Sequence, residues 1–489
     1  MQSEPETQGA PERRARDFAM TAIERSDWIP PQDLGEDLAP SVHLVTFGCQ
    51  MNKYDSELVL ERFLARGYRV AERAEEASVV LFNTCSVREH AEERVYSHLG
   101  ALKELKRERP GLVIGVVGCM AQREGAKVLK RAPLVDLVVG TREFPQLPEL
   151  VDEVRLSGSP RVAVAEDPTV EGAERPALSA ARAHHAYVAV MRGCDLNCTY
   201  CIVPKTRGRV ASRPAEDLLR EVRSLVAQGV REVTLLGQTV NSYGFDLPGR
   251  ALKLAGLIDR LSEIEALERI HLVTSHPAYV TPDLIRAFAE QPKLSRYFPL
   301  PAQSGSDAVL KRMKRGYTSG GYRERVAALR AAAPDLELCS DWIVGFPGET
   351  DADFEQSEQL LREIGFLHSY VFKYSPRPDT AAFEVADDVP EEVKKERNQR
   401  LLRLQEEVAW QRHASFVGGV VEARVGERSE RFPTRLLAQT RSGHQVFFEE
   451  SDAAQRAALL GSSVRVQVAR STPFGLYGER VFETAGSPA

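Results

Sequence analysis

The chain has 489 residues, 43% of them hydrophobic, and a net charge of −6 from 64 lysines and arginines against 70 aspartates and glutamates. That length carries two to four domains, and the charge excludes attraction of nucleic acid by bulk electrostatics, so any RNA contact falls to a local basic surface. No apolar run reaches the roughly 18–20 residues of a membrane-spanning helix and the N-terminus has no apolar core of a signal peptide, so a cytoplasmic protein without membrane contact is expected.

Residues 1–40 mix charge, proline and polar residues and are expected to be a disordered tail. From Val42, strands and helices alternate. VHLVTFG reads as a buried strand. DSELVLERFLARGY reads as a helix with Asp55 or Ser56 as N-cap and Gly67 as its stop. SVVLFNT, a helix from about Glu89 to Lys106, and LVIGVVG continue the series. The pattern predicts an N-terminal doubly wound α/β domain over 41–154 with a parallel sheet. Such sheets bind ligands beyond the carboxyl ends of their strands, and there stand Cys49, Cys85 and Cys119, one after each strand.

Residues 155–183, rich in Pro, Gly, Ser and Ala, are expected to be a linker. A second βα series follows over 184–413, with strands in YVAVMRG, REVTLLG, RIHLVTS, RYFPLP, ELCSDWIVG and HSYVFKYS. Six units are too few for an eight-fold barrel and predict an open, partial β/α barrel with its site at the C-terminal rim. A long charged helix, about Glu391–His413, ends it. Over 414–483, short alternating strands with glycine turns predict a small β-barrel, followed by a tail at 484–489.

Six of the seven cysteines form two sets: the strand-end trio, and Cys194-x-x-x-Cys198-x-x-Cys201 just after the first barrel strand. In a reducing compartment, grouped thiols bind metal or carry out catalysis. Structural zinc takes four ligands, commonly in paired groups, and no second pair lies near the triplet. A c-type haem needs histidine after the last cysteine, where Ile202 stands. Three thiolates can hold a four-iron cluster and leave one iron open for a ligand. Cys339, in an apolar strand, reads as a small core residue.

The CxxxCxxC loop resembles the radical S-adenosylmethionine superfamily. The segments TFGCQMNKYDSE, NTCSVRE, GCMAQRE, LLGQTVNSYG, TSHP, LPAQSGSDAVLKRMKRGYT and DWIVGFPGET resemble the methylthiotransferase family within it, and the terminal barrel resembles a TRAM RNA-binding domain. GCQMNKYDSE and NTCSVRE are similar to the members acting on isopentenylated adenosine in tRNA. The sister substrates are a ribosomal-protein side chain and threonylcarbamoyl-adenosine of tRNA. The resemblance implies two 4Fe–4S clusters, on Cys49, Cys85, Cys119 and on Cys194, Cys198, Cys201. It implies two molecules of S-adenosylmethionine per turnover: one methylates a sulfur at the first cluster, the other yields a 5′-deoxyadenosyl radical at the second. The radical would take hydrogen from C2 of the adenine, which has no acidity for a base to exploit. The implied partners are a tRNA anticodon stem-loop, modified just 3′ of the anticodon, an electron donor such as flavodoxin or ferredoxin, and sulfur-donor and iron–sulfur assembly proteins.

Other residues at strand ends are expected to approach cofactor or substrate: Gly237, Gln238, Asn241, Ser275, Gln303, Ser304, Gly345 and Glu349. The plainer alternatives are strand-to-loop turns, a structural His276 beside Ser275, and Glu349 as a cap for the next helix. Tyr200 is expected to pack over the cluster. Lys205, Arg207 and Arg209, with Arg213, follow the cluster loop and are expected to meet RNA phosphate, or simply to be solvated. In the terminal barrel, Arg435, Arg441 and Phe447, with His444, offer cationic and aromatic groups for unpaired bases.

Overall fold

Valine- and leucine-rich strands buried on both faces build the N-terminal sheet of the computed structural model, which describes residues 39–86, 89–164, 184–250, 252–428 and 432–481. The expected tails, up to residue 38 and from 484, and the span 165–183 of the expected linker lie outside the described residues. The sheet is parallel and six-stranded, in the order Arg69–Val70, Ser41–Thr46, Val79–Thr84, Val113–Gly118, Leu137–Val139, Arg161–Ala163. Val80, Phe82, Ile114 and Val116 enter one core, and their neighbours Val79, Leu81, Val113 and Val117 enter the other. Helices cover both faces, as a parallel sheet requires. The strand order reverses between Ser41–Thr46 and Val79–Thr84, the switch point at which such folds open a crevice.

Three expectations are corrected in this domain. The first helix runs Gln50–Ala65 with Cys49 at its N-cap, so Asp55 and Ser56 are interior. They are fully buried and serve the site described below rather than the helix end. The helix expected over 89–106 is two, Glu89–Ala101 and Lys103–Glu108. The segment expected as linker holds the end of the helix Leu147–Ser157 and the sixth strand. That strand is an exposed edge, where Arg161 and Val162 face solvent, so it carries none of the apolar pattern that marks a central strand.

The middle domain forms the expected open arc. His185–Ala189, Glu232–Leu236 and Arg269–Leu272 make one parallel sheet; Tyr297–Pro299, Glu337–Val344 and His368–Lys373 make the second. A parallel bridge between Ile270 and Leu294 joins the halves. The helices Ala215–Ala227, Leu254–Ser262, Pro282–Glu290, Ser319–Ala332 and Asp351–Ile364 pack outside, in one core with Val188, Leu235, Leu272, Phe298 and Trp342. Strand alternation therefore turns Tyr187, Ala189 and Leu236 inward. Against them pack Met51, Tyr54 and Leu58 of the first helix, which seats the N-terminal domain on the inner face of the arc. The long helix Glu391–Ala414 is tied to the last strand by Asn398 Nδ2 donating to the Val371 carbonyl at 2.8 Å.

Val420–Arg428, Arg435–Gln439, Gln445–Glu449, Gly475–Val481 and Ser463–Thr472 close into a five-stranded barrel. Alternate residues fill it, among them Val421, Ala423, Val425, Leu436, Val446, Phe448 and Val466. Strands alone were expected here. The structure adds a short helix, Ala453–Leu459, started by Asp452 Oδ1 accepting the Ala454 and Gln455 N–H groups. Among the described residues no helix is long and apolar enough to cross a membrane.

Candidate active site

Three neighbouring strands of the N-terminal sheet deliver Cys49, Cys85 and Cys119 to the switch-point crevice. Gly48 makes their approach possible: it holds φ 126°, and a Cβ there would lie 2.5 Å from the Cys85 Cβ. Asn52, one turn into the first helix, accepts from the Cys49 thiol at 3.3 Å and donates to the Thr84 carbonyl at 3.0 Å, just before Cys85. Asn83 donates to the Asn52 carbonyl and to Ser56 Oγ, both at 2.9 Å. The Cys85 thiol is the largest influence holding Cys49 down to about 6, against burial, with Arg207 helping. Burial raises Cys119 despite the same arginine.

Arg207 comes from the other domain. Its Nε donates to Cys119 Sγ at 3.1 Å, one Nη donates to Asp55 Oδ2 at 2.5 Å, and the other reaches Asn52 Oδ1 at 3.4 Å. Burial opposes its charge, but Asp55 and the two thiols outweigh that and raise its pKa. Arg192 meets the remaining oxygen of Asp55 at 3.3 Å. Arg207 is 5% exposed, so the expectation that it meets RNA is corrected: its fork is committed inward to a carboxylate and a sulfur.

The triplet lies immediately across this contact. The Cys194 backbone N–H donates to the Gly208 carbonyl at 3.1 Å, one residue from Arg207, and Thr141 Oγ1 of the N-terminal domain donates to the Thr206 carbonyl at 2.8 Å. Cys194 Sγ lies 3.4 Å from Thr239 Oγ1. Arg315 donates one Nη to Cys198 Sγ at 3.4 Å and to Tyr200 Oη at 3.3 Å, and its Nε to Tyr317 Oη at 3.2 Å. Burial pushes Cys201 up to about 12 and raises Cys194. Cys194 and Cys201 are thus favoured as neutral thiols until a metal displaces their protons.

The donor sets fit iron–sulfur clusters. Each offers three soft sulfurs and no hard ligand. No three His, Cys, Asp or Glu side chains among the described residues stand close enough to hold a single metal ion.

At the rim, the expected contacts divide. Gln238 Oε1, Gln303 Oε1 and His276 Nε2 are buried with no hydrogen-bond partner. They follow three successive strands of the arc, and Gln303 holds a left-handed φ of 64°, a strain non-glycine residues keep where surroundings enforce it. Burial first, then Arg315, lowers His276 to about 2, so its ring is neutral. Gly237 is needed for packing: a Cβ would strike the Met191 side chain at 2.5 Å.

The other expected contacts take part in hydrogen bonds and packing within the fold. Asn241 clamps the His276 backbone with two bonds of 2.9 Å. Ser275 Oγ donates to the Pro299 carbonyl. Ser304 Oγ faces Ser357 Oγ at 3.3 Å and accepts from the Ser306 N–H. Glu349 accepts from the Gly345 N–H at 2.6 Å and Arg397 at 2.8 Å, while the helix cap is Thr350. The close neighbour of Gly345 is Lys394, whose Cγ lies 2.3 Å from where its Cβ would be.

Of the expected RNA contacts, Lys205 is exposed, and Arg209 is 79% exposed with Asp195 at 3.4 Å. Arg213 pairs with Glu221. Arg441 and His444 are corrected: Arg441 Nη2 donates to the Leu294 carbonyl at 3.3 Å and its own carbonyl accepts from Arg296, while His444 is buried 4.5 Å from the Phe416 ring. Arg441 holds the terminal barrel to the arc, and His444 faces His413 of the long helix with ring centroids 5.2 Å apart. Phe447 stacks on Tyr477 at 4.8 Å, Arg470 lies 3.8 Å over Tyr477, and Arg435 lies 4.1 Å over Phe432 while bonding Glu449. Tyr200 packs against Phe346, and Cys339 is a buried core residue.

Sequence reasoning missed Asn52, Asp55, Arg315, Tyr317, Arg470 and Tyr477. Asp55 carried a signal: a carboxylate on the buried side of a helix demands a cation.

The model of uncharacterized protein family UPF0004 matches residues 41–140, and that of the radical SAM superfamily matches residues 188–361. The chain is 45% identical to the tRNA-2-methylthio-N(6)-dimethylallyladenosine synthase of Cereibacter sphaeroides strain ATCC 17029, over 91% of this chain and 99% of that one. It is 45% identical to the protein so named from Geobacter metallireducens, over 90% and 98%, and 43% to that of Burkholderia cenocepacia strain HI2424, over 91% and 98%. Among solved structures, the radical S-adenosylmethionine methyltransferase TsrM of Kitasatospora setae, with cobalamin and a 4Fe–4S cluster bound, shares the fold at 15% identity and a TM-score of 0.53, over 71% of this chain and 77% of that one.

Proposed function

Since this chain belongs to the radical S-adenosylmethionine methylthiotransferase family, among the tRNA-2-methylthio-N6-dimethylallyladenosine synthases, we propose that it replaces the C2 hydrogen of N6-isopentenyladenosine, just 3′ of a tRNA anticodon, with a methylthio group. The observation that supports this best is the strap Thr206–Gly208, which touches both thiol sets: Arg207 bonds Cys119 and the Gly208 carbonyl accepts from Cys194. One site can then serve both a sulfur donor and a radical source.

Cys49, Cys85 and Cys119 would hold one 4Fe–4S cluster and Cys194, Cys198 and Cys201 another, together supplying methylated sulfur and the radical cleavage of S-adenosylmethionine. The chain's own groups do the rest. Gln238 and Gln303 present buried acceptors at the rim, suited to the ammonium and hydroxyl groups of S-adenosylmethionine, since a buried polar atom without a partner is costly unless a ligand satisfies it. His276, kept neutral, adds a ring nitrogen to the same rim without charge. Arg315 stabilises negative charge on Cys198 and is fixed by Tyr200 and Tyr317. Met51, Tyr54 and Leu58 seal the inner face of the arc against water, which protects a radical from side reactions.

The base must leave the anticodon loop to reach this interior. A loop base is unpaired and can be splayed out at modest cost. Lys205 and Arg209 stand at the mouth for phosphate, and the Phe447–Tyr477 stack with Arg470 offers a platform for a neighbouring base. An electron donor of the flavodoxin or ferredoxin kind and a sulfur-supplying assembly protein complete the system.

The test is an anaerobic assay with the reconstituted enzyme, S-adenosylmethionine, reductant and an isopentenylated anticodon stem-loop. The methylthio nucleoside and 5′-deoxyadenosine are expected by mass spectrometry. A stem-loop left unmodified while a ribosomal protein, or threonylcarbamoyl-adenosine in tRNA, gains the methylthio group overturns the substrate.

A further inference from the structure

We propose that Arg207 is a positioning residue for the auxiliary cluster site: anchored in the loop of the radical-generating triplet, it bonds a thiolate ligand of the other set and sets the reduction potential of the cluster held there. The inference rests on the reading of Cys49, Cys85 and Cys119 as cluster ligands.

The geometry carries it in three ways. Arg207 sits six residues past Cys201, on the short helix Val203–Arg207, so its backbone moves with the triplet loop. Its side chain crosses the domain boundary and ends on Cys119 Sγ at 3.1 Å. Its fork is then fixed from the far side by Asp55 at 2.5 Å and Asn52 at 3.4 Å. Asn52 also accepts from the Cys49 thiol, so one guanidinium refers to two of the three sulfurs. A surface arginine has no need of such a cage. A general interdomain ion pair would need Asp55 alone and would leave Nε free of the sulfur.

The sign of the effect follows from charge. Reduction adds an electron to a cluster whose sulfurs share the negative charge. A cation donating N–H to one of those sulfurs favours the reduced form, so hydrogen bonding and local charge set the potential. Arg207 therefore raises it. Asp55, by neutralising part of the guanidinium charge, holds that rise in check. The two residues act on the same sulfur in opposite directions, which packing alone does not do.

The experiment uses the full chain with Cys194, Cys198 and Cys201 replaced by alanine, so that only the auxiliary cluster reports. In this background Arg207→Gln, Arg207→Lys and Asp55→Asn are reconstituted with iron and sulfide. Iron content and the midpoint potential are read by redox titration with electron paramagnetic resonance. Arg207→Gln is expected to shift the midpoint to more negative potential and Asp55→Asn to more positive, with Arg207→Lys between glutamine and wild type. If Arg207→Gln holds no iron, restoration of the cluster by Arg207→Lys supports the proposal, and failure to restore it overturns the role of the charge. Midpoints that stay put, or that move the same way in Arg207→Gln and Asp55→Asn, overturn the proposal while leaving the function standing. A background protein that takes up no iron at all overturns the function as well.

Discussion

The backbone N–H of Cys194 donates to the carbonyl of Gly208 at 3.1 Å, and the residue before Gly208 places its guanidinium on Cys119. The loop bonded to the Cys194 backbone therefore reaches a sulfur of the other domain through one arginine side chain. Such a strap ties the two domains together beside both thiol sets.

Arg315 is expected to serve the radical half alone. Its donation to Cys198 is a supporting contact of a metal ligand, and loss of such contacts typically costs 10–100-fold in metal affinity or activity. Arg315→Gln is expected to lower 5′-deoxyadenosine formation by about that factor while iron on the N-terminal trio is retained. Unchanged formation of 5′-deoxyadenosine removes the role.

Gly48→Ala strains one site and spares the other. A Cβ at φ 126° would lie 2.5 Å from the Cys85 Cβ, at a strain of about 1–3 kcal/mol. Iron bound by the trio should fall while the triplet still cleaves S-adenosylmethionine. Full iron content in this variant would show that Cys49 and Cys85 need not approach.

The half-buried stack on the terminal barrel is expected to hold RNA. Tyr477→Ala and Phe447→Ala should each weaken stem-loop binding by about 1–3 kcal/mol, the worth of one stacked base. Arg470→Ala should also reduce the salt dependence of binding. A filter-binding series over salt concentration checks both, and unaltered affinity in the tyrosine variant contradicts the assignment.

Acid should loosen the junction between the terminal barrel and the arc. Burial lowers His413 and His368 to about 4 from an ordinary value of 6.5. The unfolded chain therefore binds protons first as pH falls below 6.5, and the stability that these neutral rings contribute is lost progressively down to about 4. His413, which shares a 2.9 Å bond with the Thr472 carbonyl, is the reporter. Thermal melts from pH 7 to pH 5 should fall in wild type and fall less in His413→Gln.

The thiol sets were legible because each lies on a signal local in sequence: a buried strand ending in cysteine, and a tight triplet. So were the parallel α/β sheet, the open arc and the small closed barrel, whose helix and strand periods differ. The partners of those thiols were not. Arg207 and Asp55 lie 152 residues apart, and KTRGR looks like a solvated basic loop until the N-terminal helix is laid against it. The hydrogen bonds that Asn241, Ser304 and Glu349 make within the fold were hidden for a related reason. Loops at strand ends must satisfy their own buried backbone groups, and these side chains do that work. Gln238 and Gln303 stand out only once burial reveals acceptors without donors.

The central claim is that two open-site clusters serve one substrate pocket, and iron and sulfide quantitation of the reconstituted chain tests it most directly. About eight irons and eight sulfides are expected in wild type, and about four of each when either trio of cysteines is replaced by alanine. About four of each in wild type, or a count that one of the two replacements leaves unchanged, would contradict it.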